Sequence, residues 1–277
     1  MNIKFYVNDY VLVWNLLFQA SISEQIYKLK QKLWTNYKEE YNNTYRDKNL
    51  ILKDAKNFIP NNDTIYNIVL ETKEYEKLKK QTEKYRVELM KIWDENKRLL
   101  NAFFKSIIRK EIKPYTILVI NEELNVIEVV NQESEIGTII VGKKVDKKEP
   151  TRVIVDIAMA ILKNETKITK EKNELATAIL ELAILNELAT ILTKKSCYIS
   201  GTPSLVNIKR CLYPYWLMYM AVPKAEFLTY MSRDKIAFDH NNMAYEKELR
   251  KINLEGLIDY CYRNKKYILK NEKIDVL

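Results

Sequence analysis

Four glycines, six prolines, three cysteines and one histidine are all that 277 residues supply of the types that build most recognisable sites. With so few glycines there is no Gly-rich phosphate loop, which excludes a P-loop or a dinucleotide-binding turn. The single histidine, His240, excludes H-E-x-x-H and any His-rich metal site. A Ser-His-Asp or Cys-His arrangement would have to be built on His240, which stands in the polar loop Phe238-Asp239-His240-Asn241-Asn242. Cys197, Cys211 and Cys261 are too few and too scattered for a disulfide framework or paired zinc ligands, and read as thiols in a reducing compartment. Long uninterrupted apolar runs are also missing. The stretch from Tyr10 to Phe18 is short and holds Asn15, with Asp9 before it, and no cleavage signature follows. The stretch from Leu175 to Leu192 contains Glu181, Asn186 and Glu187, which make a lipid span expensive. The expectation is a cytoplasmic chain with no membrane span, no cofactor and no metal.

What is present is a folded composition: 47% hydrophobic and 30% charged residues. The formal charge of +9 permits contact with nucleic acid, and Lys77, Lys79, Lys80, Lys84 and Arg86 cluster in one segment. The same segment alternates in sign, as in Glu74-Tyr75-Glu76-Lys77, a pattern that marks a solvated helix face.

Apolar spacing predicts helices over most of the chain. A short apolar helix covers Asp9 to Ala20. Ser21 and Glu24 form a capping box for a second, whose stripe is Ile22, Ile26, Leu29, Leu33, Tyr37 and Tyr41. A loop over residues 57–63 ends at Asp63 as an N-cap. A long helix then runs from about Lys73 to Ile112, with the stripe Tyr75, Leu78, Tyr85, Leu89, Ile92, Leu99, Phe103 and Ile107; unbroken, it would span roughly 60 Å. Beyond Pro114, three short β-rich runs at 116–120, 126–130 and 138–141 predict an antiparallel meander. Helices follow at 152–164, about 173–194, after Thr202-Pro203, and at about 225–231, 243–251 and 254–264. The expected architecture is α+β and predominantly helical: a helical arm over residues 1–113, then a small antiparallel sheet with a helical lobe over 114–277, as two regions or as one continuous domain.

Two helices carry polar groups in apolar surroundings. The run Val153 to Leu162 is apolar nearly all round except for Asp156, for which Arg152, four residues earlier, is the expected partner. The run Ala178 to Thr190 holds Glu181, Asn186 and Glu187, which need partners inside or line a polar pocket. A third feature is the aromatic segment around Tyr213, Tyr215, Trp216 and Tyr219, which reads as core or as a groove for an apolar partner.

The order strand, helix, helix from Thr138 to Leu192 resembles the core of zincin metallopeptidases. In that family an edge strand precedes the helix bearing H-E-x-x-H, and a later helix supplies a glutamate ligand, often as Asn-Glu. Here Ile139-Ile140-Val141-Gly142 stands where the edge strand belongs, Asp156-Ile157-Ala158-Met159-Ala160 where the zinc motif belongs, and Asn186-Glu187 matches the second motif. The resemblance covers about a fifth of the chain. Both histidines and the general-base glutamate are absent, so it implies a lobe without zinc and without water activation. The function expected is that of a non-catalytic binding or scaffold protein with a protein or peptide partner. The alternatives are a basic nucleic-acid-associated protein and a metal-independent enzyme using Asp156, Glu181 and Glu187 as acid and base.

Overall fold

A computed structural model describes residues 1–20, 23–130, 134–166, 168–194, 201–233 and 246–269. Ser21, Cys197 and His240 lie outside the described residues, as does part of the helix expected over 243–251. The fold is predominantly α-helical α+β with a small four-stranded sheet. It divides into two compact units, 1–97 with 113–164, and 98–112 with 165–277. The N-terminal helices belong to the same unit as the sheet.

In the first unit, β1 (Ile3–Tyr6) leads into α1 (Asp9–Phe18), α2 (Glu24–Asn36), α3 (Lys38–Thr44), α4 (Lys48–Asp54) and α5 (Thr64–Leu70). The long helix α6 (Lys73–Ile108) follows; its residues to Lys97 belong to this unit and those from Arg98 to the other. Then come β2 (Tyr115–Val119), β3 (Val126–Val130), β4 (Gly137–Gly142) and α7 (Arg152–Glu165).

The strands order as β1-β2-β4-β3, with β1, β2 and β4 parallel and β3 antiparallel at the edge. The expected meander is therefore corrected to a mixed sheet. Strand β4 inserts between β2 and β3, so residues 139–142 are an inner strand and β3 is the edge. Burial explains why: every residue of β2 and β4 is buried, as central parallel strands require, whereas four of the five residues of β3 are half-exposed. Both faces of the sheet are covered. Leu118, Ile120 and Ile140 join a core with Leu12, Leu16, Ile26, Leu33, Ile65, Tyr66, Tyr75 and Leu78. On the opposite face Phe5 packs on Trp93 of α6, and the Tyr115 hydroxyl meets the Asn164 amide of α7 at 3.0 Å.

Helix starts depend on short polar side chains. Asn8 caps α1 by accepting from the Val11 N–H at 3.0 Å, and α2 starts after Ser23, not Ser21. Asp63 precedes α5 as expected, but it is Asn62 that accepts from the Thr64 N–H.

The second unit holds the end of α6, then α8 (Asn173–Glu181), a π-helical segment Leu182–Leu188, α9 (Ala189–Thr193), α10 (Val206–Tyr219), α11 (Lys224–Arg233), α12 (Glu246–Leu249), α13 (Leu254–Arg263) and α14 (Lys265–Ile268). Helix α6 stops four residues short of the expected Ile112 because Arg109 turns left-handed at φ 55°. The run Lys170–Thr193 is apolar and long enough to cross a membrane by composition, but 61% of its apolar window is buried, so it is a core element and not a strong membrane span.

Candidate functional site

The helix expected at 173–194 is not uniform: between α8 and α9 the chain makes a π-helical segment over Leu182–Leu188. A π segment has weaker packing along its axis than an α-helix and survives where neighbouring contacts reward the shifted side chains. Here those side chains include Asn186 and Glu187. The Glu187 carboxylate accepts from the Trp216 indole N–H at 3.1 Å, joining α10 to the segment. Asn186 Oδ1 is buried and has no hydrogen-bonding partner among the described residues.

Glu181, the last residue of α8, is 5% exposed. Its carboxylate accepts from Lys209 Nζ at 2.7 Å, from the Thr202 hydroxyl at 2.5 Å and from the Thr202 backbone N–H at 3.1 Å. Lys209 is fully buried in α10. Thr202 is thus spent on Glu181 instead of capping the short helical turn that follows it. Gly201 makes the approach possible. Its φ is +120°, and a Cβ there would stand 2.4 Å from the Glu181 carboxylate.

The two glutamates titrate in opposite directions. Burial pushes the Glu181 carboxyl up, but hydrogen bonds from Lys209 and Thr202 outweigh it and hold it below its ordinary value. Burial likewise pushes Glu187 up, and the single indole donor does not offset it, so Glu187 lies above its ordinary value. A carboxyl whose pKa rises on folding favours the fold in its protonated form, and that advantage is lost as pH rises through the folded pKa. Replacement of Glu187 by glutamine, which can still accept from Trp216, is therefore expected to raise stability at neutral pH. The gain should shrink toward zero in acid below the ordinary carboxylate range. Urea midpoints across pH check this; a gain that grows in acid would contradict it.

Asp156 belongs to the first unit and is half-buried, on a face of α7 that it shares with exposed Arg152 and Lys163. Its partner is not Arg152 but Lys143, the residue after β4, at 2.5 Å. Lys143 is itself positioned by Tyr85 of α6, whose hydroxyl donates to the Lys143 carbonyl at 2.5 Å and accepts from its N–H at 3.1 Å. Arg152, in the first turn of α7, is exposed to solvent instead.

The aromatic segment is core. Tyr213, Tyr215, Trp216 and Tyr219 are all buried in α10, so they do not line an open groove. Tyr219 donates its hydroxyl to the Ile107 carbonyl and stacks beneath the Arg109 guanidinium at 3.9 Å. Of the cations on α6, Lys79 pairs with Asp9 at 2.7 Å and Arg86 with Glu83 at 2.8 Å, while Lys77, Lys80 and Lys84 are exposed beside exposed Glu74, Glu76 and Glu88. Among the described residues no three His, Cys, Asp or Glu side chains converge as a metal site would require.

Sequence reasoning singled out the carboxylates and missed their partners Lys143, Thr202 and Lys209. The signal for Lys209 was there: Leu205, Lys209, Leu212, Trp216 and Tyr219 follow a four-three-four-three spacing, which places one lysine on an otherwise apolar stripe.

The chain matches no family model, no curated protein and no solved structure.

Proposed function

We propose that this chain is a non-catalytic binding or scaffold protein of the cytoplasm, with a first unit and following helices built on a metal-free, zincin-like order. The observation that carries the reading is the engagement of each carboxylate: Asp156 with Lys143, Glu181 with Lys209 and Thr202, Glu187 with Trp216. An acid–base pair needs two carboxyls free to exchange protons with a substrate, and a metal ligand needs lone pairs that are not already occupied. The zincin-like order rests only on the succession along the chain of β4, then α7 with Asp156 in place of the zinc motif, then the helical segment with Asn186-Glu187. Residues 139–142 are an inner strand parallel to β2, not the edge strand that order calls for. Partner recognition then falls to surfaces, and a protein or peptide is the class this reading favours.

The test is metal content and its link to stability. Elemental analysis of the purified chain should find no stoichiometric zinc, and a chelator should leave the melting temperature unchanged, because no folding energy is tied to a metal. Near one zinc per chain, or a clear drop in melting temperature with chelator, would sink the reading and restore a peptidase.

A further inference from the structure

Helix α2 is a docked amphipathic helix with an unusual outer face. Its inner residues Ile26, Leu29 and Leu33 are buried in the first unit. From residue 25 to residue 38 the chain has four lysines and no carboxylate. On the outside stand Tyr27, 61% exposed, Trp34, 45% exposed, and Tyr37, 38% exposed, interleaved with exposed Lys28, Lys32 and Lys38. Lys38 sits over the Trp34 ring at 5.3 Å, and the other side of the cluster is steadied by Tyr41, edge-on to Trp34 at 5.7 Å. Lys28 shares Glu24 at the start of the helix, but both are widely exposed and such a pair is worth little. Lys30 is turned inward to the Gln19 carbonyl and is not part of the face.

Large aromatic rings held in water cost solvation unless something covers them, and rings alternating with cations suit a polyanion with flat, stackable groups. From these features we propose that the outer face of α2 binds single-stranded nucleic acid, with bases stacking on Tyr27 and Trp34 and phosphates neutralised by Lys28, Lys32 and Lys38. Tyr27 and Trp34 are seven residues apart on one side of the helix, about 10.5 Å along its axis, a span that one short extended strand can bridge with a nucleotide between the two stacked bases. A membrane surface fits less well. An interfacial helix inserts its apolar face into lipid, and the apolar face of α2 is already spent inside the unit. An acidic peptide would satisfy the lysines but leave the rings uncovered. The α6 lysines fit less well too, because Lys77, Lys80 and Lys84 alternate with exposed Glu74, Glu76 and Glu88 and the aromatic rings of that helix are buried.

The experiment is fluorescence anisotropy of a labelled poly(dT) oligonucleotide titrated with the full chain at several salt concentrations. The result expected is binding whose logarithmic salt slope is about −2, three lysines at about 0.7 each. Y27A and W34A should each weaken it about tenfold. Y27A should leave the melting temperature unchanged, since Tyr27 is 61% exposed. W34A also loses the contact with Tyr41 and is compared with W34F, which keeps a ring to stack on and should keep most of the binding. K32E should weaken it and flatten the salt slope, because one phosphate contact is lost. Failure to bind at low salt overturns the proposal, as does binding that W34A and Y27A leave untouched. Tighter retention on anionic phosphatidylserine vesicles, or displacement of the oligonucleotide by polyglutamate as readily as by unlabelled poly(dT), would overturn it in favour of a charged surface without base stacking. These outcomes do not depend on zinc content, so the failure of this proposal and the failure of the metal-free reading are distinguishable.

Discussion

Replacing Lys209 by methionine is expected to destabilise the chain by about 3–5 kcal/mol, the largest single effect of any substitution considered, because it strips a buried carboxylate of its counter-charge. The methionine keeps most of the volume of the lysine stem, so the loss is electrostatic and not a cavity. Glu181 would retain only Thr202 as a donor. The companion change, Glu181 to glutamine in the same chain, removes the stranded charge and should recover most of the stability, since an uncharged pair has no uncompensated ion to bury. The pH dependence carries a sign. Glu181 is depressed on folding, so its contribution is fully present above the ordinary carboxylate value and is lost as pH falls through the lower folded value. In the wild type the acid limb of stability should therefore include a component that K209M lacks. Urea denaturation of the single and double variants at neutral and acid pH reads all of this. A loss below about 1 kcal/mol for K209M would mean that the pair is solvated.

Arg109 to alanine is expected to cost about 2–4 kcal/mol, from several charge-assisted hydrogen bonds lost together. The guanidinium gathers the carbonyls of Leu249 at 3.3 Å, Arg250 at 3.0 Å and Ile252 at 3.2 Å, and that of Tyr219, while stacking on the Tyr219 ring. One side chain thus satisfies the end of α12 and the turn after it, and caps α10. Its backbone is left-handed, a conformation a branched or bulky residue avoids, and nothing short of a five-donor planar fork would serve four carbonyls from one position. Lysine should therefore rescue only part of the loss. Denaturant midpoints of R109A and R109K check it; equal stability of R109K and wild type would mean that charge alone suffices.

Much of this architecture is legible in the sequence where the determinants are local. The stripe from Tyr75 to Ile107 announces α6, and Val126 to Val130 is a strand in both readings. Pairing was not legible, because which strands meet is decided far along the chain. Ile3 lies beside Tyr115, and β4 enters between β2 and β3 through contacts that no local pattern encodes. Strand β1 has only four residues, too few for alternation to register. In the site, buried carboxylates stand out against apolar runs. Their pairings do not: Lys143 and Lys209 are separated from Asp156 and Glu181 by 13 and 28 residues, Lys143 looks like any other lysine of a basic chain, and the apolar stripe that marks Lys209 does not say which carboxylate it meets. The π segment at Leu182–Leu188 has no composition of its own, and an aromatic run such as Tyr213 to Tyr219 reads equally as core or as groove until the Trp216 indole is placed on Glu187.

The account stands on Glu181 being a locked structural carboxylate and not an acid awaiting a substrate. The direct measurement is a carbon-13 titration of the glutamate carboxyl groups in the folded chain, with the Glu181 resonance assigned through E181Q. The account predicts a Glu181 midpoint below the ordinary 4.5 and a resonance that follows global unfolding at the acid end. A Glu181 that titrates above 4.5 in the intact fold would contradict it, because the hydrogen bonds from Lys209 and Thr202 would then not be what holds the carboxylate in its charged form.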